Sequence, residues 1–139
     1  MDYKLELVII PVTDVDQAKD FYEHKAGFHV DVDHRQGEDF RVVQLTPPGS
    51  ACSVTLMRNP DAAGSVQGLH LVVSDIDAAR ADLTGRGVAA SEPFHFGPGG
   101  QTPGHHPERA SYGTFMSFTD PDGNGFLVQE VSGQGAPAK

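Results

Sequence analysis

The chain repeats itself. Residues 68–80 read GLHLVVSDIDAAR, and sixty-one positions earlier residues 7–19 read LVIIPVTDVDQAK. Val12 to Asp16 lies over Val73 to Asp77, and Ala18-Lys19 lies over Ala79-Arg80. In both copies an apolar strand runs into an Asp-rich helix start. A strand-to-helix unit duplicated within 139 residues predicts two copies of one module facing each other across a shared concavity, the kind of place where ligands bind.

A chain of this length forms one compact domain, burying about two thirds of the surface its unfolded form exposes. The lone Cys52 lies inside an apolar alternation and has no partner for an intramolecular disulfide, so it reads as a reduced, inert thiol of a cytoplasmic protein. No basic start with an apolar run and cleavage site marks an export signal, and no apolar run approaches the roughly 20 residues of a membrane span. Nineteen Asp and Glu against ten Lys and Arg leave a formal charge of −9, with no basic stripe interleaved with aromatics. Phosphate backbones need clustered cations, so nucleic acid is excluded as a partner; the acidity reads as a solvated surface.

In order, residues 3–12 predict a strand, Thr13 or Asp14 a helix cap, and Val15, Ala18, Phe21 and Tyr22 a buried helical face that ends at Gly27. Residues 28–33 alternate as a strand with Phe28, Val30 and Val32 on one face. Residues 40–46 and 51–57 make a hairpin around Pro47-Pro48-Gly49-Ser50, completing a βαβββ module over about residues 4–58. About residues 59–67 form a linker. The second module, about residues 68–131, repeats the pattern: strand 69–73, a cap at Ser74 or Asp75, a helix buried through Ile76, Ala79 and Leu83, a short strand within 88–96, and a hairpin 114–118 with 126–131. Residues 97–113, rich in Gly and Pro, form a structureless insertion that acts either as a lid or as an inert loop. Residues 132–139 carry no core residue and read as a disordered tail.

The repeat, the FYEHKAGF stretch at 21–28 and the FTDPDGNG stretch at 118–125 occur in an order that resembles the vicinal oxygen chelate superfamily, the glyoxalase I, bleomycin-resistance and extradiol-dioxygenase group, over about residues 4–131. The resemblance implies an α+β fold of two tandem βαβββ modules whose curved mixed sheets enclose a small-molecule cavity. It also implies a homodimer, for which open strand edges give a physical reason. In metal-dependent relatives, inward side chains from the first and last strands of each module hold one divalent ion. The matching positions are Leu7, Thr55, Gly68 and Leu127, none a usual ligand. No cofactor is therefore expected, and a displaced divalent metal site is the lesser alternative.

Strand periodicity puts His70 on the face of Gly68 and Gln129 on the face of Leu127. His70, on a strand otherwise made of Leu and Val, is the first candidate catalytic residue, as a base or ligand, against a satisfied core histidine. Gln129 either orients it or faces the pocket. Arg41 fixes a carboxylate, phosphate or enolate if it points inward, and otherwise pairs on the surface with Asp31 or Asp33. Tyr112 donates to an oxyanion or anchors the insertion by packing. His34, His105 and His106 complete the site by closing over it, or are solvent-exposed. Leu7, Ile9, Thr55, Met57 and Leu127 line the substrate pocket, making it mostly apolar.

No G-x-S-x-G, G-x-x-x-x-G-K-[ST], H-E-x-x-H or paired-Cys zinc pattern is present. The leading expectation is a metal-free, glyoxalase-like lyase or isomerase acting on a small carbonyl-containing or aromatic metabolite. In it His70 moves a proton, and Gln129, Arg41 or Tyr112 holds the developing negative charge. The alternative is a non-catalytic protein that sequesters an antibiotic-like compound. A metalloenzyme with ligands displaced by a strand slip is a third reading.

Overall fold

The computed structural model describes residues 1–132, so the tail expected over 132–139 lies, past its first residue, outside the described residues. The chain divides into two compact units, one of residues 1–67 with the turn 120–124, the other of residues 68–119 and from Gly125 on.

In the first unit, β1 (Leu7–Val12) leads into α1 (Val15–Asp20), which continues as a π-helical turn over Phe21–Lys25. Asp14 is the cap, in extended conformation, its carboxylate accepting from the Gln17 N–H at 3.1 Å. Val15, Ala18, Phe21 and Tyr22 are all buried, as their spacing predicts. Then follow β2 (His29–Gln36), β3 (Phe40–Thr46) and β4 (Ser53–Arg58), in the sheet order β1-β4-β3-β2 with β1 and β4 parallel. Ile10, Val12, Val43, Leu45 and Leu56 are essentially inaccessible and form the core on the helix side. Charged and polar residues occupy most of the edge strand β2, which discourages edge-to-edge pairing.

The second unit repeats this plan with one strand added. β5 (Leu69–Val73) precedes α2 (Ile76–Gly85), capped by Asp75, whose carboxylate accepts from the Ala78 N–H at 3.1 Å. β6 (Phe94–Gly97), β7 (Gly100–Pro103), β8 (Phe115–Thr119) and β9 (Gly125–Glu130) complete a sheet ordered β5-β9-β8-β6-β7. Strand β7 comes from the insertion. The segment expected to be structureless over 97–113 thus begins as a tight hairpin, Gly97 opposite Gly100, with Gly100 at φ 103° where glycine alone is at ease.

Two further expectations are corrected. The first strand starts at Leu7 and not at Tyr3, because residues 3–6 lie outside the sheet with Tyr3 and Leu5 exposed. Val30 and Val32 do not share a face. The β2–β3 register shifts between them, so Val30 opposes Leu45 while Val32 opposes Gln44, and the extra residue, Asp31, makes a bulge that alternation cannot foresee.

Candidate functional site

Each sheet has one face on its helix and one turned away from it. In the second sheet, Leu71, Val73, Phe126, Val128 and Glu130 belong to the helix face. The opposite face carries His70 beside Leu127, Val72 beside Gln129, then Ser117, Phe115, Phe94 and Phe96. Phe94 stacks on Phe115 at 5.8 Å and 14°, while Phe96 meets Phe115 edge-on at 5.2 Å and Phe94 at 5.9 Å. Phe94 is buried, yet Phe96 and Val72 are each 57% exposed. A three-ring platform with one ring open to solvent offers a planar ligand both a stacking and an edge surface. A cavity of about 330 Å³, lined by Phe94, Pro93, Pro103, Gln101, Ser117, Ser91 and Glu92, adjoins it.

His70 is exposed on this face, and its Nδ1 lies 2.6 Å from the Gly68 carbonyl oxygen. A carbonyl only accepts, so Nδ1 carries a hydrogen, and Nε2 keeps a lone pair whenever the ring is neutral. Gln129 is buried, and its Nε2 donates to the Tyr112 carbonyl at 3.4 Å. His70 and Gln129 thus share a face, but the bonds found for each run to the main chain and not to the other.

In the first sheet the corresponding face holds Leu7, Ile9, Thr55, Met57, Val42, Gln44, Val32 and His34, which gathers His34 and the predicted wall residues other than Leu127. Ile9 is half open. A polar row crosses this face: Gln44 donates to the Ser53 hydroxyl at 3.3 Å, Ser53 and Thr46 share a hydrogen bond at 2.7 Å, and Thr46 donates to Asp31. Thr55 is buried, and its hydroxyl has no hydrogen-bond partner among the described residues.

Arg41 does not point into this face. It is forked on the helix side between Asp33, at 3.0 Å from both Nε and Nη2, and Asp16 of α1. These two carboxylates hold its guanidinium above its ordinary range, and Arg41 with Lys19 holds the Asp33 carboxyl well below the usual one. Of the two readings of Arg41 the pairing with Asp33 is the one found and the inward one is corrected: its place one residue from Val42 puts it on the opposite side of the pleat.

The rest of the insertion is tied down. Arg109 makes a bidentate pair with Glu130 at 2.9 and 2.7 Å, and Glu130 also accepts the Ile76 N–H at 3.0 Å. His105 Nε2 lies 2.8 Å from Asp77 Oδ1. His106 accepts backbone N–H groups of Glu108 and Ala110 through Nδ1, a loop-bracing role. Tyr112, at φ 67°, donates its N–H to the Glu130 carbonyl at 2.7 Å. His105 and His106 therefore hold their own loop and do not join His70. The aromatic platform was missed in the sequence, although the alternation Phe94-His95-Phe96 signals it.

The positions the resemblance assigns to a metal do not fit one. Leu7 and Leu127 bring alkyl groups, Gly68 brings none, and a neutral Thr55 hydroxyl is a poor donor. Among the described residues no three His, Cys, Asp or Glu side chains gather where an ion would bind.

Comparison with known proteins shows the family to which this fold belongs. The family model for the glyoxalase/bleomycin resistance protein/dioxygenase superfamily matches residues 4–128. The uncharacterized protein YetH of Bacillus subtilis (strain 168) is 28% identical over 126 residues, 88% of this chain and 94% of YetH. Among solved structures, TnmS3, an antibiotic binding protein from Streptomyces sp. CB03234, is 34% identical with a TM-score of 0.73, covering 94% of this chain and 98% of its own. A superfamily member from Sphaerobacter thermophilus DSM 20745 is 30% identical with a TM-score of 0.69, covering 93% and 98%.

Proposed function

Because the chain belongs to the glyoxalase/bleomycin resistance protein/dioxygenase superfamily, we propose that it captures a planar aromatic compound of antibiotic type on the helix-free face of its second sheet and releases it unchanged. The observation that carries this reading is the platform of Phe94, Phe96 and Phe115, with the Phe96 ring 57% exposed to solvent. Burying such a surface under a ring supplies affinity without any group that breaks bonds. Gln129 and Ser117 on the same face offer neutral hydrogen-bonding groups, which orient a ligand without activating it. The 34% identity to an antibiotic binding protein supports the same class of ligand. No metal takes part in this reading. The protein acts in the cytoplasm as a homodimer, its edge strands β1 and β5 being available for pairing.

One observation favours a second reading. The free lone pair on His70 Nε2, fixed by the Gly68 carbonyl, is what a lyase or isomerase needs to take a proton from a carbon beside a carbonyl. Titration with planar polycyclic aromatic antibiotics, followed by chromatography of the recovered compound, separates the two. Saturable binding with the compound intact supports capture; conversion to an isomer or cleavage product supports catalysis.

A further inference from the structure

A cavity of about 340 Å³ in the first unit, away from the aromatic platform, is lined by Arg35, Arg41 and Arg58 together with Phe40 and Met57. The chain has only six arginines, so half of them meet at this one place. Their arrangement follows from the sheet. Arg35 is directly opposite Arg41 in the β2–β3 ladder. Extending the β3–β4 register by two residues, from Val43 opposite Leu56, brings Arg58 opposite Arg41. Three guanidinium groups thus lie in one cross-strand row, although like charges directly opposite destabilise a sheet.

Arg41 is neutralised by Asp16 and Asp33. Arg35 and Arg58 make no ion pair among the described residues. The acids around the cavity do not offset them equally. Asp16 is held by Arg41, and Asp14 accepts the Gln17 N–H as helix cap, leaving Glu38 and Asp39 on the exposed β2–β3 turn at its rim. Phe40, 44% exposed, and half-buried Met57 also line the cavity, from strand positions next to Arg41 and Arg58 and so on the other side of the pleat.

We infer that this cavity is a second small-molecule site, one that takes a small organic anion whose carboxylate or phosphate group bridges Arg35 and Arg58. The planar fork of Arg is suited to either oxyanion. An anion between the two cations also removes the repulsion built into the row. The site is independent of the capture reading and stands if that reading fails.

The test is calorimetric titration of phenyl phosphate and of benzoate into the full chain at low ionic strength, with benzyl alcohol as the uncharged counterpart. At least one of the two anions is expected to bind saturably and benzyl alcohol not to; which anion binds decides between phosphate and carboxylate. The double variant Arg35→Gln, Arg58→Gln is expected to weaken binding at least tenfold, with an unchanged or higher melting temperature that shows the fold is kept. Glu38→Gln is expected to strengthen it, and Phe96→Ala to leave it as it is. Failure of both anions to bind, equal binding of benzyl alcohol, or undiminished affinity in the folded double variant overturns the proposal.

Discussion

Tyr22 donates from its phenol to Asp120 Oδ2 at 2.8 Å, joining residues ninety-eight positions apart. The same carboxylate accepts from Asn124 Nδ2 at 2.8 Å and from the N–H groups of Asp122 and Asn124 at 2.9 Å. Asn124 in turn donates to the Pro11 carbonyl at 3.0 Å and accepts the Val66 N–H at 3.1 Å. The turn 120–124 is thereby fastened to β1 and to the end of α1. Burial and the Asp120 carboxylate push the Tyr22 phenol far above its ordinary pKa, so it remains a donor.

Removing that donor leaves a buried carboxylate short of one partner. Tyr22→Phe is expected to cost about 1.5–3 kcal/mol. The measurement is the urea midpoint at neutral pH, with an unchanged m value showing that stability alone has moved.

Glu130 gives the chain an acid sensitivity of known sign. The Arg109 guanidinium, helped by the Ile76 N–H, lowers its carboxyl below the ordinary value of 4.5 despite the opposing effect of burial. A carboxyl lowered by folding contributes stability that is complete above its unfolded value and is lost as pH falls through the folded one. Glu130→Gln is therefore expected to be less stable by about 1–2 kcal/mol at neutral pH, with the gap closing below about pH 4.5. Denaturation curves of both proteins between neutral and acid pH check this.

Gly64 sits at φ 83°, and a Cβ built there overlaps the Asp122 carbonyl oxygen. Both the backbone conformation and the close approach require glycine. Gly64→Ala is expected to cost at least about 2 kcal/mol, read as a lowered melting temperature, whereas Gly37→Ala, with open space around its Cβ and a similar φ of 72°, is expected to cost less.

His70 separates capture from catalysis. If the protein only binds its ligand, His70→Ala is expected to shift affinity by less than about threefold, with the compound recovered intact from both proteins. A product formed by the wild type and missing with the variant would sink the capture account in favour of a proton-transfer role.

Much of the fold was legible because it rests on local patterns that tertiary structure reinforces. The sixty-one-residue repeat gave both strand-to-helix units, and the paired caps Asp14 and Asp75 adopt nearly the same conformation, φ −136° and −144°. What escaped depends on partners distant in sequence. The Asp31 bulge is defined only by the register of β3. For Arg41 the pattern leaves two readings, inward or paired with Asp31 or Asp33, because one residue of register reverses a side chain, and the Asp33 pair is the one found. Strand β7 came from a Gly/Pro-rich stretch with almost no strand propensity, and pairing with β6 overrode that composition. Of the site, Leu7, Ile9, Thr55, Met57 and His34 do share one face, and His70, Leu127 and Gln129 another. The aromatic platform was overlooked because Phe115 lies 19 positions beyond Phe96, and the two rings meet only through strand pairing.

The central claim is that the open ring of Phe96 holds a planar aromatic ligand. The direct measurement is the affinity of one such antibiotic for the wild type and for Phe96→Ala, whose exposed side chain contributes little to stability. Loss of one stacking partner is expected to weaken binding by about 1.5 kcal/mol, roughly tenfold, at an unchanged melting temperature. Equal affinity in the two proteins would contradict the account and place the ligand elsewhere.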